Sequence, residues 1–369
     1  MSPKGEVDER GEMNFPFQPL ALASPPASLP VKAAAFPELR YMGSKKRLLP
    51  WIHDAIDGID FATAMDPFSG SGSVSYLLKA MGRTVVASDF LNFSATVAKA
   101  LIENSEAIVD ARDMRRLMSS NKDAPDFIQK TFSGVFFAQE DLRFLDRVSA
   151  NMSKIADGRV RALAMAALVR SCLKKQPRGV FTISGDVSKH DDGRRDLRLS
   201  IEEHFREQVE VYSGAVFSNG RSNRAFQADV FDADPAGVDL VYLDPPYVPR
   251  ADDNCYIKRY HFVEGLSAYW HDMEIMEWTK VKKIEKKFTP FSYRGKALDA
   301  FERMFERFRR QIVVMSYSSN GYPDLDPLVG LMRKTKRKVE VLTRPHRYHF
   351  GTHAAVKRSV VDEYLIVGR

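Results

Sequence analysis

Residues 62–73 read Ala-Thr-Ala-Met-Asp-Pro-Phe-Ser-Gly-Ser-Gly-Ser, and this stretch decides the fold. Residues 62–65 carry no charge and predict a short buried strand, which Asp66-Pro67 ends because proline has no N–H for a ladder. Gly70 and Gly72 then let the backbone turn sharply and let a ligand approach the main chain. Residues 73–81 predict a helix, whose N-terminal N–H groups and positive dipole end suit a carboxylate or a phosphate. Further out, residues 84–88 predict a strand ending at Asp89, residues 94–105 a helix, and residues 48–56 another helix. Strand, turn, helix and strand in that order form the βαβ unit of a parallel sheet, so the expected class is α/β.

The glycine turn is not a dinucleotide fingerprint, because Ser75 stands where the third glycine belongs. It is not a P-loop either, since no Gly-Lys-Ser/Thr follows. Asp89 lies about twenty residues beyond the turn, where an acid accepts hydrogen bonds from ribose hydroxyls. Taken alone, the turn is equally consistent with a nucleotide-like cofactor and with a simple tight bend.

Four segments emerge along the chain. Residues 1–38 are punctuated by Pro16, Pro19, Pro25, Pro26, Pro30 and Pro37 and predict a flexible tail; they lack the basic and apolar regions of a secretory signal. Residues 39–111 carry the first α/β units. Residues 112–222 lose that rhythm and read as an inserted, mainly helical module, with a helix over 159–173 and basic clusters around Lys174, Lys175, Arg178 and residues 194–198. The rhythm returns in residues 223–369, with strands over 238–243 and 311–316, a basic amphipathic helix over 298–310, and a closing hairpin of 338–342 with 364–367.

Composition narrows the class. The 369 residues hold 55 Lys+Arg against 48 Asp+Glu, a formal charge of +7, with 44% hydrophobic and 28% charged residues. That is a globular mixture with room for a sizeable core, and its positive excess suits a polyanionic partner. Two cysteines, Cys172 and Cys255, exclude a disulfide scaffold and a cysteine-built zinc site. They fit a reducing compartment and predict a cytoplasmic protein. No apolar run reaches the length of a membrane span.

Two further motifs carry chemistry. Asp244-Pro245-Pro246-Tyr247 follows the apolar run Val-Asp-Leu-Val-Tyr-Leu. Consecutive prolines cannot continue a ladder, so they hold a rigid extended turn at the carboxyl edge of the sheet, where open α/β sheets bind ligands. A carboxylate, unclaimed carbonyls and an aromatic face together suit an amino group on a planar ring; the alternative is a strand-ending turn with a core tyrosine. Arg40-Tyr41-Met42-Gly43-Ser44-Lys45-Lys46-Arg47 precedes a predicted helix. Cations at a helix N-terminus oppose the macrodipole, and an anionic ligand nearby would relieve the conflict.

Tyr41-Met42-Gly43-Ser44-Lys45, then Asp66 to Gly72, then Asp244 to Tyr247, in this order, resembles the D12 class of adenine-specific DNA methyltransferases, the Dam-like alpha group. The likeness spans roughly residues 39–369, dense at the motifs and faint in the insert. It is loosely similar at Pro177 to Phe181, at Ser316 to Asn320 and at Val361 to Val367. It implies a Rossmann-like sheet interrupted by a target-recognition module, S-adenosyl-L-methionine as methyl donor, and the N6 amino group of adenine in double-stranded DNA as acceptor. Lys45, with Tyr41 and Gly43, would lie beside the methionine part of the cofactor. Asp66 and the backbone at Phe68, Gly70 and Gly72 would cradle it, Asp89 would bind its ribose, and Asp229, with Val230 as apolar neighbour, its adenine amino group. Asp244, Pro245 and Tyr247, with Pro246 stiffening the turn, would hold a flipped-out target base for direct in-line transfer. Lys174, Lys175 and Arg178 are the DNA-backbone candidates; the runs 282–287 and 333–338 read equally well as solvated helix faces. A cognate restriction endonuclease and a solitary regulatory role are both open as the setting, and a monomer is the favoured state. Two other readings share these residues: an N6-adenine methyltransferase acting on RNA, and a non-catalytic DNA-binding regulator that retains the fold.

Overall fold

A computed structural model describes residues 28–183, 193–246, 248–249, 255–347 and 360–369, and the backbone of two short paired strands at Glu6–Val7 and Met13–Asn14. Seven strands form the main sheet: β1 (Thr63–Asp66), β2 (Thr84–Asp89), β3 (Arg224–Gln227), β4 (Leu240–Leu243), β5 (Ile312–Ser318), β6 (Val339–Arg347) and β7 (Val360–Gly368). Their spatial order is β3-β2-β1-β4-β5-β7-β6. The first five run parallel, while β7 is antiparallel to both of its neighbours. The expected closing hairpin is present and longer than the sequence suggested, its nine pairs running from Val339↔Gly368 to Arg347↔Val360.

The order has a physical origin. Leu240, Val241, Tyr242 and Leu243 are all buried, the continuous apolar run of a central parallel strand covered on both faces. The chain winds outward from β1 to β2 and β3, then returns to place β4 on the other side of β1, with Ala64↔Leu240 and Met65↔Val241 in register. The switch point therefore falls between β1 and β4, whose carboxyl ends carry Asp66 and Asp244.

Helices cover both faces. On one side α1 (Leu49–Asp57), α2 (Ser73–Ala80) and α3 (Asn92–Ala98) bury Ile52, Leu77 and Phe93 against the sheet. The predicted helix over 94–105 starts two residues earlier and ends in a π turn, Lys99–Glu103. The fully buried Lys79 donates to the carbonyls of Leu101 (2.8 Å) and Asn104 (2.7 Å), capping groups that the turn leaves unpaired. Burial lowers its pKa to about 8.

Between the π turn and β3 come α4 (Ala111–Met118), α5 (Phe127–Thr131), α6 (Gln139–Met152), α7 (Gly158–Lys174), α8 (Arg195–Arg198) and α9 (Ile201–Gly214). A reciprocal box opens α9, with Ser200 and Glu203 capping one another's backbone N–H groups. These helices share one continuous core with the sheet face and with α10 (Tyr256–Ala268), through rings such as Phe132–Phe262 (4.9 Å), Phe136–Phe181 (5.1 Å) and Phe181–Phe262 (5.0 Å). On the opposite face, α11 (Arg294–Arg307) and α12 (Leu325–Arg333) pack Phe301, Met304, Phe305, Leu328 and Met332 onto Val241, Leu243 and Val313.

Three expectations need correction. The predicted flexible tail ends before residue 31: Val31–Ala35 forms a 3₁₀ turn, and Ala33, Phe36 and Leu39 are buried, Phe36 lying 5.2 Å from the Tyr76 ring. Residues 1–27 of the tail lie outside the described residues, apart from the backbone of the two short strands. The run 282–287 is not a helix face, since Lys283–Ile284 pairs with Ile275–Met276 in a small antiparallel ladder. Nor is Lys336 a solvated lysine: it is buried, and its Nζ donates to the carbonyls of Phe308 (2.7 Å), Arg309 and Gln311 just beyond α11.

Candidate active site

The carboxyl ends of β1, β2 and β4 open into a cleft of about 950 Å³. It gathers most of the residues singled out in sequence: Tyr41, Gly43, Lys45, Asp66, Phe68 and Gly70 from the N-terminal part, and Asp89, Asp229, Val230, Asp244 and Pro246 from later strand ends. Gly72 and Pro245 do not line it. Tyr247 lies outside the described residues.

The glycine loop forms one wall. Asp66 is almost wholly buried and accepts from the Ser75 hydroxyl (2.6 Å) and the Phe68 N–H (3.3 Å). Asp89 accepts from the N–H groups of Gly70 (2.8 Å) and Leu91 (2.9 Å), which ties the loop to the end of β2. Burial lifts both acids to about 7, against the opposing pull of those donors. Gly70 has φ +50°, and a Cβ there would meet the Tyr41 ring at 3.0 Å; only glycine fits. Gly72 (φ +81°) is the N-cap of α2, so it shapes the loop from behind. Tyr41 itself is stacked on Tyr260 (5.3 Å) and Tyr256 (5.4 Å).

The opposite wall is Asp244, held by Lys45. The Lys45 ammonium lies 2.9 Å from Asp244 Oδ1 and 3.2 Å from the Gly43 carbonyl, on a side chain only 6% exposed. Burial raises the Asp244 pKa and Lys45 opposes that rise. The pair links the first motif to the last across 199 positions of sequence. It also answers the puzzle of cations before a helix. Lys45 meets Asp244 and Lys46 meets Glu38 (3.1 Å), so the protein's own carboxylates supply the anions expected from a ligand.

At the far end, Asp229 accepts from the Phe231 N–H (2.9 Å) beside buried Val230. Sequence reasoning missed Phe90, Tyr256, Lys287, Thr289 and Phe291, which also line the cleft. Phe90 was recoverable, since it follows Asp89 directly at a strand end. The others come from α10 and the segment after it, where no local pattern marks them.

The insert's basic cluster is largely committed within the fold. Lys174 pairs with Asp196 (3.1 Å), and Arg40 joins the same carboxylate (2.8 Å) while donating to the carbonyls of Lys174 and Gln176 at the end of α7. Lys175 is buried, with its Nζ on the carbonyls of Leu197 and Leu199 and 3.6 Å from Asp141. Its expected place on a DNA backbone is therefore corrected: it is an internal strut. Arg178 alone of the three is exposed.

A parallel sheet with one antiparallel strand before the last position, a glycine turn after β1 and Asp-Pro-Pro after β4 define a methyltransferase of Rossmann-like fold. Residues 41–313 match the model of the D12 class N6 adenine-specific DNA methyltransferases, and the chain belongs to that family. It is 32% identical over 327 residues to the type II methyltransferase M2.HphI of Haemophilus parahaemolyticus, covering 85% of this chain and 92% of that one. It is also 24% identical over 341 residues to modification methylase LlaI of Lactococcus lactis subsp. lactis and 22% over 362 residues to modification methylase StsI of Streptococcus sanguinis. The matches cover 86% and 90% of this chain but only 53% and 52% of those longer proteins. The enzyme methylates the N6 position of adenine in DNA. No described helix is long and apolar enough to cross a membrane.

Proposed function

We propose that the chain takes its methyl group from S-adenosyl-L-methionine and delivers it to an adenine flipped out of a specific duplex DNA sequence. The observation that carries this reading is the meeting of Asp66 and Asp244 at adjacent strand ends on one cleft, with Lys45 between the motifs.

The cleft suits the cofactor's chemistry. Asp66, Asp89 and Asp244 line the cleft and suit a group that bears an ammonium and a sulfonium. Asp66 with the backbone at Phe68 and Gly70 holds the methionine end, with Gly72 shaping the loop behind them and Tyr41, Gly43 and Lys45 beside it. Asp89 retains acceptor capacity on its two oxygens for ribose hydroxyls. Asp229 and Val230 receive the adenine ring, joined by Phe90. When bound, S-adenosyl-L-methionine supplies an electrophilic methyl group.

The chain's own residues do the rest. The adenine amino nitrogen is a poor nucleophile because its lone pair is conjugated with the ring. Asp244 and the Pro245 carbonyl accept its two hydrogens, which favours a pyramidal nitrogen aimed at the methyl; the proton leaves after transfer. Positioning and electrostatics supply the main rate gain. Flipping costs a few kcal/mol, of which stacking on Tyr247 offsets roughly 1–3 kcal/mol. Residues 112–222 act as the target-recognition module, with Arg178 on the DNA backbone. The enzyme works as a cytoplasmic monomer alongside a cognate restriction endonuclease, a setting supported by the modification methylases it resembles.

One assay tests this. Purified chain receives radiolabelled S-adenosyl-L-methionine with duplex DNA or structured RNA, and the modified nucleoside is identified. N6-methyladenine in duplex DNA, lost in Asp244→Ala, is the expected result. Label confined to single strands or RNA, or its persistence in the variant, would overturn the reading.

A further inference from the structure

All the large aromatic side chains exposed among the described residues lie in one short segment: Trp278 at 73%, Phe288 at 62% and Tyr293 at 48%. Phe288 and Tyr293 stack on one another at 5.2 Å. The same nineteen residues, 278–296, hold seven Lys and Arg against a single acid, Glu285. Most of that charge faces solvent, with Lys280, Lys286, Lys287, Arg294 and Lys296 exposed. Lys282 is paired with Glu277 at 2.7 Å, and Lys287 with the buried Glu264 at 3.5 Å.

This segment is continuous with the cleft. Lys287, Thr289 and Phe291 form part of the cleft wall, while Phe288 between them faces outward. Arg294 lies 4.7 Å over the ring of Tyr322, and Tyr322 pairs with Val248, four positions after Asp244. Exposed aromatic faces among an excess of cations are poorly matched to water, and they match a chain of phosphates carrying flat bases.

We propose that residues 278–296 form a DNA-docking rim of the active-site cleft, with Trp278 and the Phe288–Tyr293 pair offering stacking faces where the duplex opens and Lys280 and Lys296 holding phosphates beside the target adenine. This rests on duplex DNA being the substrate, and it adds a binding surface outside the helical insert.

The test uses the full chain and three variants: Trp278→Ala, Phe288→Ala and the double change Lys280→Gln with Lys296→Gln. Methyl transfer is measured on genomic DNA from a host without adenine methylation, and salt-dependent binding on a fluorescent mixed-sequence duplex. Calorimetry with S-adenosyl-L-methionine reports whether the cleft is intact. The aromatic variants are expected to raise KM for DNA roughly 5- to 100-fold, with cofactor affinity unchanged. The lysine variant is expected to lower the salt slope by about two. If an aromatic variant loses cofactor binding, the lysine pair, on exposed side chains, decides. Unchanged KM and salt slope overturn the rim, and a surface that instead governs self-association in sedimentation marks it as an interface between copies. Wild-type chain that labels no adenine in DNA would instead defeat the substrate reading itself.

Discussion

The cleft's interior and its rim are built on opposite principles. Inside, every carboxylate already has partners: Asp66 has Ser75 and Phe68, Asp89 has Gly70 and Leu91, and Asp244 has Lys45. On the rim, Trp278, Phe288 and Tyr293 stand in water among cations. Buried polar groups left unpaired are costly, so an interior must be organised before its ligand arrives. An exposed surface carries no such demand and can leave its complement to a partner. The lesson is that charge alone does not mark a nucleic-acid surface; the insert and the rim are both basic, but Lys174 and Lys175 are bound into the fold while Lys280 and Lys296 are exposed beside exposed aromatic rings.

The interior can be broken most severely at Asp244. Asp244→Ala should lower methyl transfer at least about 100-fold with duplex binding retained, read as kcat against DNA affinity; retained turnover would remove it from the chemistry. Asp89→Ala removes the Gly70 anchor of the glycine loop as well as the proposed ribose contact. Its cofactor affinity should fall roughly 10- to 100-fold by calorimetry, with duplex binding changed far less. Lys45→Ala frees Asp244 of its cation. It should reduce kcat about tenfold, and the Asp244 pKa should rise further, moving the acid limb of the kcat pH profile to higher pH.

Two smaller effects separate structural from surface charge. Lys175→Ala should cost about 1–3 kcal/mol of stability in thermal unfolding and leave the salt slope of DNA binding unchanged, the opposite pattern to the rim lysines. The last concerns the two acids held at about 7. Folded, they bind protons more tightly than when unfolded, so the stability of the ligand-free chain should fall as pH rises from about 4 to about 7. Asp66→Asn should flatten that slope, and an unchanged slope would show that Asp66 does not titrate there.

The sequence made the interior legible because its motifs are local. Asp66 to Gly72 and Asp244 to Pro246 each combine a strand end, a turn and a functional group within a few residues, so chemistry and geometry are written together. Asp89 followed from the same strand-end logic. What stayed hidden depends on distance along the chain. That Lys175 is an internal strut is decided by Asp141 and Leu199, and that Lys45 faces Asp244 is decided by how β1 and β4 meet. The run 282–287 stayed open between a DNA contact and a helix face because a run of lysines looks alike in both settings. Only the ladder of Ile275–Met276 with Lys283–Ile284 fixes where its side chains stand.

The pairing of β1 with β4 also sets an order of events during synthesis. Ala64 waits for Leu240, 176 positions later, before its edge of the sheet is covered. At typical translation speeds that is roughly 10 to 35 seconds in which β1 and β2 have emerged without their central neighbour. An uncovered strand edge invites pairing with other chains. Much of what emerges meanwhile is helical, and local contacts let helices form quickly. The nascent chain can thus gain structure from α4 to α9 while the seam at its centre stays open. The strand that closes the seam ends at Asp244, so catalytic competence and the loss of that sticky edge arrive together.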